Sequence, residues 1–538
     1  MTIPGLFQTT PLLISSILTY AVKAHPKRKV VSRLVDEPIF HYDYESFGKR
    51  TAQAVQALDR LGVKSGDRVT SMAWNTHRHL ELFYGVPGMG CVLHTANPRL
   101  SDEQIIYTVN HAESRVLLFD RTFIPLIERL RGAFKTVETY ILLAAGDEPG
   151  YLNYESLIAA ESGDYHWPQF DENAGAFLCY TSGTTGDPKG VLYSHRGVVL
   201  HAMAGGMNSA FGFTAFDVVM PCSSLYHANA WGLPFSAPLC GSAMVLPCDK
   251  MDGGSLHELI EGEGVTFTGG VPTIWTMYLA WLDQAGKVPA SLKTIVIGGS
   301  AVPRAMAETF SRLYGVNVRQ LWGMTETAPI GVVSTPTPEL AALGDESMND
   351  AIWTRQGRIQ FGIELEVTDD DGKPVPHDGE TSGALKVRGP WTIQRYYRKD
   401  EDCVDADGWF DTGDIATLDA LGFMRITDRS KDVIKSGGEW ISSIDLENVA
   451  VGCPGVKIAA VVGVPHPKWE ERPLLVIETH ENVTVTRDEV LHYLASRIVK
   501  WWTPDDVVFA PVPLTATGKI DKKVLRVAYR DHLTAEKS

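Results

Sequence analysis

The sequence predicts an α/β protein: a large N-terminal domain of α/β subdomains followed by a small α+β C-terminal domain. Three observations carry that expectation: a length of 538 residues, helical apolar spacing that alternates with short β-rich runs, and a change of charge balance near residue 429. At roughly 100 to 200 residues per domain, such a chain exceeds one compact core. Apolar residues make up 44% and charged residues 21%, which supplies a core and excludes a disordered chain.

The elements follow in order. Residues 11–22 mix apolar residues with polar interruptions as an amphipathic helix does. With no basic segment before them and no small-residue cleavage site after them, no signal peptide is expected. Phe47, Ala52, Val55, Leu58 and Leu61 recur at helical spacing and stop at Gly62, after which 68–73 reads as a strand. Helical stretches at 103–111 and 124–131 flank β-rich runs at 115–119 and 139–143, the pattern of a parallel sheet covered on both faces. No repeat appears that would build a solenoid. From Arg429 onward basic and acidic residues balance at 15 each, so the whole net charge of −16 falls on the preceding residues. That last stretch also has its own pattern, with strands at 457–464 and 474–478 and a helix at 487–498. The expected division is therefore 1–428 and 429–538.

A net charge of −16 repels nucleic acid and anionic lipid, so neither is an expected partner. No run approaches the roughly 18 apolar residues of a membrane span, which leaves no integral membrane segment. Cys91, Cys179, Cys222, Cys240, Cys248, Cys403 and Cys453 are scattered and form no C-x-x-C pair, which fits a reducing compartment. The C-terminal Glu536-Lys537-Ser538 is not a peroxisomal address, and the cytoplasm is the expected location.

Chemistry begins at Tyr180-Thr181-Ser182-Gly183-Thr184-Thr185-Gly186-Asp187-Pro188-Lys189-Gly190, which follows the strand-like 176–179. Glycines let backbone N–H groups converge on an anion, hydroxyls donate further bonds, and Lys189 adds positive charge, so the loop can wrap phosphate. It is not a Walker A motif. An arbitrary loop of this composition is as often a surface turn. The string resembles the signature of the adenylate-forming superfamily, which includes acyl-CoA synthetases, peptide-synthetase adenylation domains and luciferases. The resemblance continues in order with Gln320-Leu321-Trp322-Gly323-Met324-Thr325-Glu326, then Gly408-Trp409-Phe410-Asp411-Thr412-Gly413-Asp414. Asp428-Arg429-Ser430-Lys431-Asp432-Val433-Ile434-Lys435-Ser436-Gly437-Gly438-Glu439 and Thr515-Ala516-Thr517-Gly518-Lys519 complete it. The nearest branch is the medium- and long-chain fatty acyl-CoA ligases, with methylmercaptopropionate-CoA ligase-like members among them.

The resemblance implies the adenylate-forming fold, with ATP held between the large domain and a mobile C-terminal one, and ATP, Mg²⁺ and CoA as cofactor and co-substrates. It places Thr181, Ser182, Gly183, Thr184, Thr185, Lys189, Trp322, Gly323, Met324, Thr325, Asp414, Ile426, Arg429 and Lys519 around the nucleotide. Trp322 offers a flat face for adenine, Asp414 can accept from a ribose diol, and Arg429 can donate to sugar or phosphate. Glu326 with Thr181 is expected to hold Mg²⁺, a hard cation that prefers oxygen. Lys519 is the expected catalytic cation, because a carboxylate attacking the α-phosphorus brings two anions together. Thr325, His227 and Lys435 complete the expected catalytic set. Around Lys519 lie Lys522, Lys523, Arg526 and Arg530, with Asp521 the only acid within 519–530. Lys522, Lys523 and Arg530 read as a solvated helix face.

Two half-reactions are implied: acid plus ATP giving acyl-AMP and pyrophosphate, then a thiol displacing AMP. Lys431 occupies the family's hinge position, so rotation there would exchange Lys519 for the CoA path through Lys435, Gly437, Gly438 and Trp440. Gly437-Gly438 equally suits a hairpin turn. For the acid, the pocket is expected from His227, Trp231, Gly298, Gly299, Ser300, Ala328 and Pro329, with Trp231 gating an acyl tunnel. An apolar pocket separates chain lengths by only about 1 to 3 kcal/mol per methylene, so length is left open. A fatty acid or a short thioether acid leads, and an aryl acid such as coumarate or benzoate is the alternative. Less favoured are a ligase that loads a carrier protein and a non-catalytic acyl or nucleotide sensor. The resemblance also allows a homodimer. Ala384 and Leu514 depart from the family pattern, where Glu and a basic residue are usual.

Overall fold

The computed structural model of the chain describes residues 3, 5–181, 187–437, 439–480, 483–515 and 519–534. Among the described residues the strands form four sheets. The first has seven strands in the order Leu152–Asn153, Thr139–Leu142, Val116–Phe119, Arg68–Met72, Val92–Thr95, Gly175–Tyr180 and Gly190–Ser194. All neighbours are parallel except the last pair. The second has nine strands, six of them mutually parallel from Asn317–Gly323 across to Lys29–Ser32. Antiparallel strands close both of its edges.

Parallel strands are covered on both faces and so read as continuous apolar runs. Val116–Phe119 and Ala243–Leu246 are buried at every position. Side-chain caps set where the covering helices begin. Asp252 accepts from the Ser255 N–H ahead of Gly253–Glu263, and Gly264, at φ +65°, ends that helix in the left-handed region.

A third sheet of four antiparallel strands, Glu364–Thr368, Gly383–Arg388, Phe410–Leu418 and Met424–Arg429, departs from the expected parallel pattern. Its strands are joined without intervening helices, so the alternation that signals crossover units is missing there. The fourth sheet is built from Ile434–Ser436, Glu439–Ile441, Val456–His466, Glu470–Thr479 and Asp506–Phe509. Ile434, Leu446, Val461 and Leu475 fill one of its cores, and Ala460, Val462, Leu474 and Leu525 the other. The molecule is thus a large N-terminal domain and a smaller C-terminal one. The helix expected at 487–498 ends at Ala495.

The candidate site follows from strand direction. Val218–Pro221, Thr294–Gly298 and Asn317–Gly323 run parallel in the nine-stranded sheet and share one carboxyl-end edge, while Gly175–Tyr180 ends its strand in the seven-stranded sheet. The loops leaving them carry Thr181, His227, Gly299 and Glu326, the position where open α/β sheets bind ligands.

Candidate active site

Asp414 and Arg429 face each other in register on adjacent antiparallel strands, with Arg429 Nε 2.6 Å from Asp414 Oδ1. Trp322 Nε1 donates to Asp414 Oδ2 at 2.8 Å, so both carboxylate oxygens are engaged. Burial pushes the Asp414 carboxyl upward, and Arg429, Trp322 and Lys519 oppose that shift. One edge of the Trp322 indole lies against Gly331, where an added Cβ would overlap it. Trp322 therefore orients Asp414, a role its flat face did not suggest. The Ile426 N–H donates to Gln356 Oε1 at 2.6 Å.

Glu326 is 7% exposed, and Tyr396 Oη donates to its Oε1 at 2.9 Å. Burial raises this carboxyl, while Tyr396, Arg429 and Lys189 counter it. Lys189 Nζ lies 4.8 Å from the centre of the Tyr396 ring. The Thr181 N–H donates to the Lys189 carbonyl at 3.0 Å, which brings together the two ends of the motif 181–189. Ser182, Gly183, Thr184 and Thr185 lie outside the described residues, as does Gly438. Tyr193 Oη donates to the Thr325 carbonyl at 2.6 Å, and the Met324 N–H to Thr327 Oγ1 at 3.0 Å, which fix the turn after Gly323. Tyr193 and Tyr396 carry no motif signal, and only tertiary contact identifies them. Among the described residues no three His, Cys, Asp or Glu gather as a metal cluster. A buried carboxylate beside a hydroxyl still fits Mg²⁺, which takes most of its ligands from water and phosphate.

The Lys519 carbonyl accepts from the Thr515 N–H at 2.7 Å, and its own N–H donates to Thr515 Oγ1 at 3.2 Å. Its Cε lies 4.0 Å from where a Cβ on Gly299 would stand. Loss of solvent lowers the ammonium to about 8, Arg429 and Lys431 push the same way, and Asp414 and Glu326 oppose them. Burial, then Lys519, lowers His227 to about 4, which makes it a neutral imidazole at pH 7. Lys519 thus feels Asp414 and Glu326 on the one hand and His227 on the other.

On the pocket side, Ala228, Asn229, Ala230 and Trp231 take φ of +38°, +43°, +49° and +59°, followed by Gly232 at +74°. Left-handed L-residues cost about 1 to 2 kcal/mol each. Asn75 steadies the approach to this turn: its Nδ2 donates to the Pro221 and Ser223 carbonyls at 3.0 and 2.8 Å, and its Oδ1 accepts from Leu225 N–H at 2.8 Å. Cys179 Sγ donates to Asn229 Oδ1 at 3.1 Å. The turn aims the buried Trp231 indole at two glycines, 3.7 Å from a Cβ on Gly269 and 3.8 Å from one on Gly299. Gly298 packs on the Leu321 carbonyl, and Ala328 and Pro329 are buried, whereas Ser300 is exposed.

Lys435 does not join this constellation. It is exposed, with Nζ 6.0 Å from the centre of the Trp440 ring, at a hairpin turned by Gly437 at φ +61°. The solvated reading of Lys522 is also corrected. Lys522 Nζ donates to Ser443 Oγ at 2.6 Å and lies 2.8 Å from Glu447 Oε1, and Arg526 pairs with Asp432. Those acids stand far away in sequence and come near only on folding. Lys523 and Arg530 are exposed as expected.

The paired Asp414 and Arg429, the buried Glu326 and Lys519 near Gly299 suit the chemistry of an adenylate-forming enzyme, and the comparisons with known proteins give that class. Residues 18–397 match the AMP-binding enzyme family and 445–519 the AMP-binding enzyme C-terminal domain. The chain is 46% identical to a 3-methylmercaptopropionyl-CoA ligase of Ruegeria lacuscaerulensis, covering 98% of this chain and 99% of that one. It is 42% identical to a medium-chain-fatty-acid–CoA ligase of Ectopseudomonas oleovorans, covering 99% of each. Among solved structures, an anthranilate CoA ligase in complex with anthranoyl-AMP superposes with a TM-score of 0.87 at 25% identity, covering 96% of this chain and 98% of that one. The chain belongs to the AMP-binding enzyme family. It is an AMP-forming acyl-CoA ligase that uses ATP, Mg²⁺ and CoA.

Proposed function

We propose that this ligase activates a fatty acid, of medium or long chain or a short thioether acid, as acyl-AMP and then passes the acyl group to CoA. The carrying observation is that Lys519 places its Cε 4.0 Å from where a Cβ on Gly299 would stand, beside Trp231, while its ammonium feels Asp414 and Glu326. In the first step a carboxylate oxygen of the acid bonds to the α-phosphorus of ATP and the bond to pyrophosphate breaks. Lys519 stabilises the charge of that transition state without giving up its proton. Neutral His227 meets the substrate carboxylate without adding charge, and Arg429 and Asp414 orient the nucleotide. Glu326 and Thr181 would hold Mg²⁺, which would supply charge to offset that of the phosphates. In the second step the CoA sulfur bonds to the acyl carbon, and AMP leaves as Lys435 and Gly437 line the thiol's path. The thioether and medium-chain substrates in the relatives' names, with Trp231 against Gly269 and Gly299, support an aliphatic acid.

Domains 1–428 and 429–538 turn about Lys431 in this reading. The Ser430 N–H and Oγ both bond the Gly413 carbonyl at 3.0 Å, which ties Ser430 to the large domain. Arg526 Nη1 donates to the Lys431 carbonyl at 2.6 Å and Nη2 pairs with Asp432, which ties the next peptide to the small domain. Lys431 is the residue left between those anchors. The cytoplasm suits seven free thiols, and no described helix is long and apolar enough to cross a membrane. Sedimentation would test the homodimer.

The test is turnover of straight-chain, thioether and aromatic acids with ATP, Mg²⁺ and CoA. AMP, pyrophosphate and an acyl-CoA are expected, with aliphatic acids leading in kcat/KM. Release of ADP overturns the adenylate route, and preference for benzoate or coumarate overturns the substrate assignment.

A further inference from the structure

We propose that Asp428 is the latch that holds the C-terminal domain with Lys519 in the cleft, gripping the helix Ser443–Val451 from across the hinge. The inference rests on the two-step ligase reading above and uses contacts which that reading leaves idle. Asp428 lies in Met424–Arg429 and pairs in register with Ile415, so it belongs to the large domain. It is 1% exposed. Its Oδ2 accepts the Ser443 N–H at 2.7 Å, and Ser443 Oγ lies 3.0 and 2.8 Å from its two oxygens. Ser443 is the first residue of its helix, where the N–H groups lack intrahelical partners and a carboxylate is favoured.

The grip continues into the small domain. Lys522 Nζ donates to the same Ser443 hydroxyl at 2.6 Å, and its charge opposes the rise that burial imposes on Asp428. That leaves Ser443 Oγ to accept from Lys522 and donate to Asp428, a relay from one domain to the other. Lys522 opens the helix Lys522–Ala528, three residues after Lys519, so the relay ends at the root of the catalytic loop. Two neighbouring links also cross the hinge, Arg425 to Asp445 at 2.6 Å and Ser442 Oγ to the Thr427 carbonyl. Each joins a residue before Lys431 to one after it. A rotation there that withdraws Lys519 pulls Asp428 and Ser443 apart, because a hydrogen bond does not survive a displacement of more than about 1 Å. Lys522 and Glu447 travel together and stay paired. The latch therefore favours one orientation only, and its loss shifts the population toward the other.

The test separates the half-reactions. Adenylation is read by acid-dependent ATP–pyrophosphate exchange, and thioester formation by adding CoA to chemically prepared acyl-AMP. Asp428→Ala is expected to lower exchange about tenfold or more, as for a charge-assisted bond, and to leave thioester formation unchanged or a few-fold faster. Ser443→Ala keeps the N–H and removes the relay hydroxyl. It is expected to lower exchange about threefold, and Asp428→Ala/Ser443→Ala to be no worse than Asp428→Ala. Equal loss of both half-reactions in Asp428→Ala, with thermal melting unchanged, overturns the latch alone. Should Asp428→Ala not fold, Ser443→Ala decides: loss confined to exchange supports the latch, and no effect or equal loss overturns it. A wild-type chain that activates no acid overturns the ligase reading and the latch with it.

Discussion

Two lysines of the C-terminal domain stand in opposite circumstances. Lys519 is half-buried, lies near Gly299, and carries an ammonium that desolvation lowers to about 8. Lys435, on the Ile434–Ser436 strand, is exposed beside Trp440. Both ride on one sheet and its appended loops, so one orientation of that body presents one of them. In the proposed two-step reading, a domain that places a cation at phosphorus and then clears a path for a thiol benefits from carrying a separate lysine for each. The large domain needs no such change, because Asp414, Trp322, Glu326 and Tyr396 are already bonded to one another in pairs.

The contrast is broken most easily at Lys519. Lys519→Ala is expected to lower ATP–pyrophosphate exchange by about 100- to 1,000-fold, the scale of losing one preorganised electrostatic stabiliser, and to spare thioester formation from acyl-AMP. Equal loss of both would show that the two lysines do not divide the work. Lys435→Ala should reverse the pattern, with about tenfold slower thioester formation and exchange within twofold; a loss confined to exchange would place Lys435 at the adenylate instead. A smaller change is expected on the fixed side. Tyr396→Phe removes one bond to Glu326, worth about 1 kcal/mol, so kcat/KM for ATP should fall about fivefold and the Mg²⁺ requirement should rise. An unchanged Mg²⁺ titration would separate Glu326 from the metal.

Acidity sharpens the same comparison. The cationic form of Lys519 is the active one and its pKa is lowered to about 8, so kcat/KM for exchange should fall as pH rises through about 8. Bound phosphates favour the cation, so the limb in kcat should lie at higher pH. Thioester formation from acyl-AMP should lack that limb. Its persistence in exchange by Lys519→Ala would assign it to another group.

Much of the candidate site was legible because its residues cluster within short motifs. Thr181, Lys189, Trp322, Glu326, Asp414, Arg429 and Lys519 all fall in strings whose glycines and polar residues mark ligand-binding turns. Tyr193, Tyr396 and Asn75 were not legible. Tyr396 reaches Glu326 across 70 positions, and an isolated tyrosine announces nothing about its partner. Lys522 was misread because Glu447 is its neighbour only through the packing of two helices on one sheet. The four-stranded antiparallel sheet also escaped, since its strands lack the intervening helices that signal a parallel fold.

By itself the sequence determined the α/β class and the family, and it displayed the change of charge balance near residue 429 and the candidate groups for the chemistry. These depend on periodicity, charge and local spacing, which a linear chain displays. The tertiary structure alone decided which of those groups face one another: Trp322 holding Asp414, the left-handed turn aiming Trp231, Lys519 half-buried and Lys435 exposed, and Asp428 meeting Ser443. Burial and electrostatic coupling act through distance in space, so they arise only when remote segments are packed together.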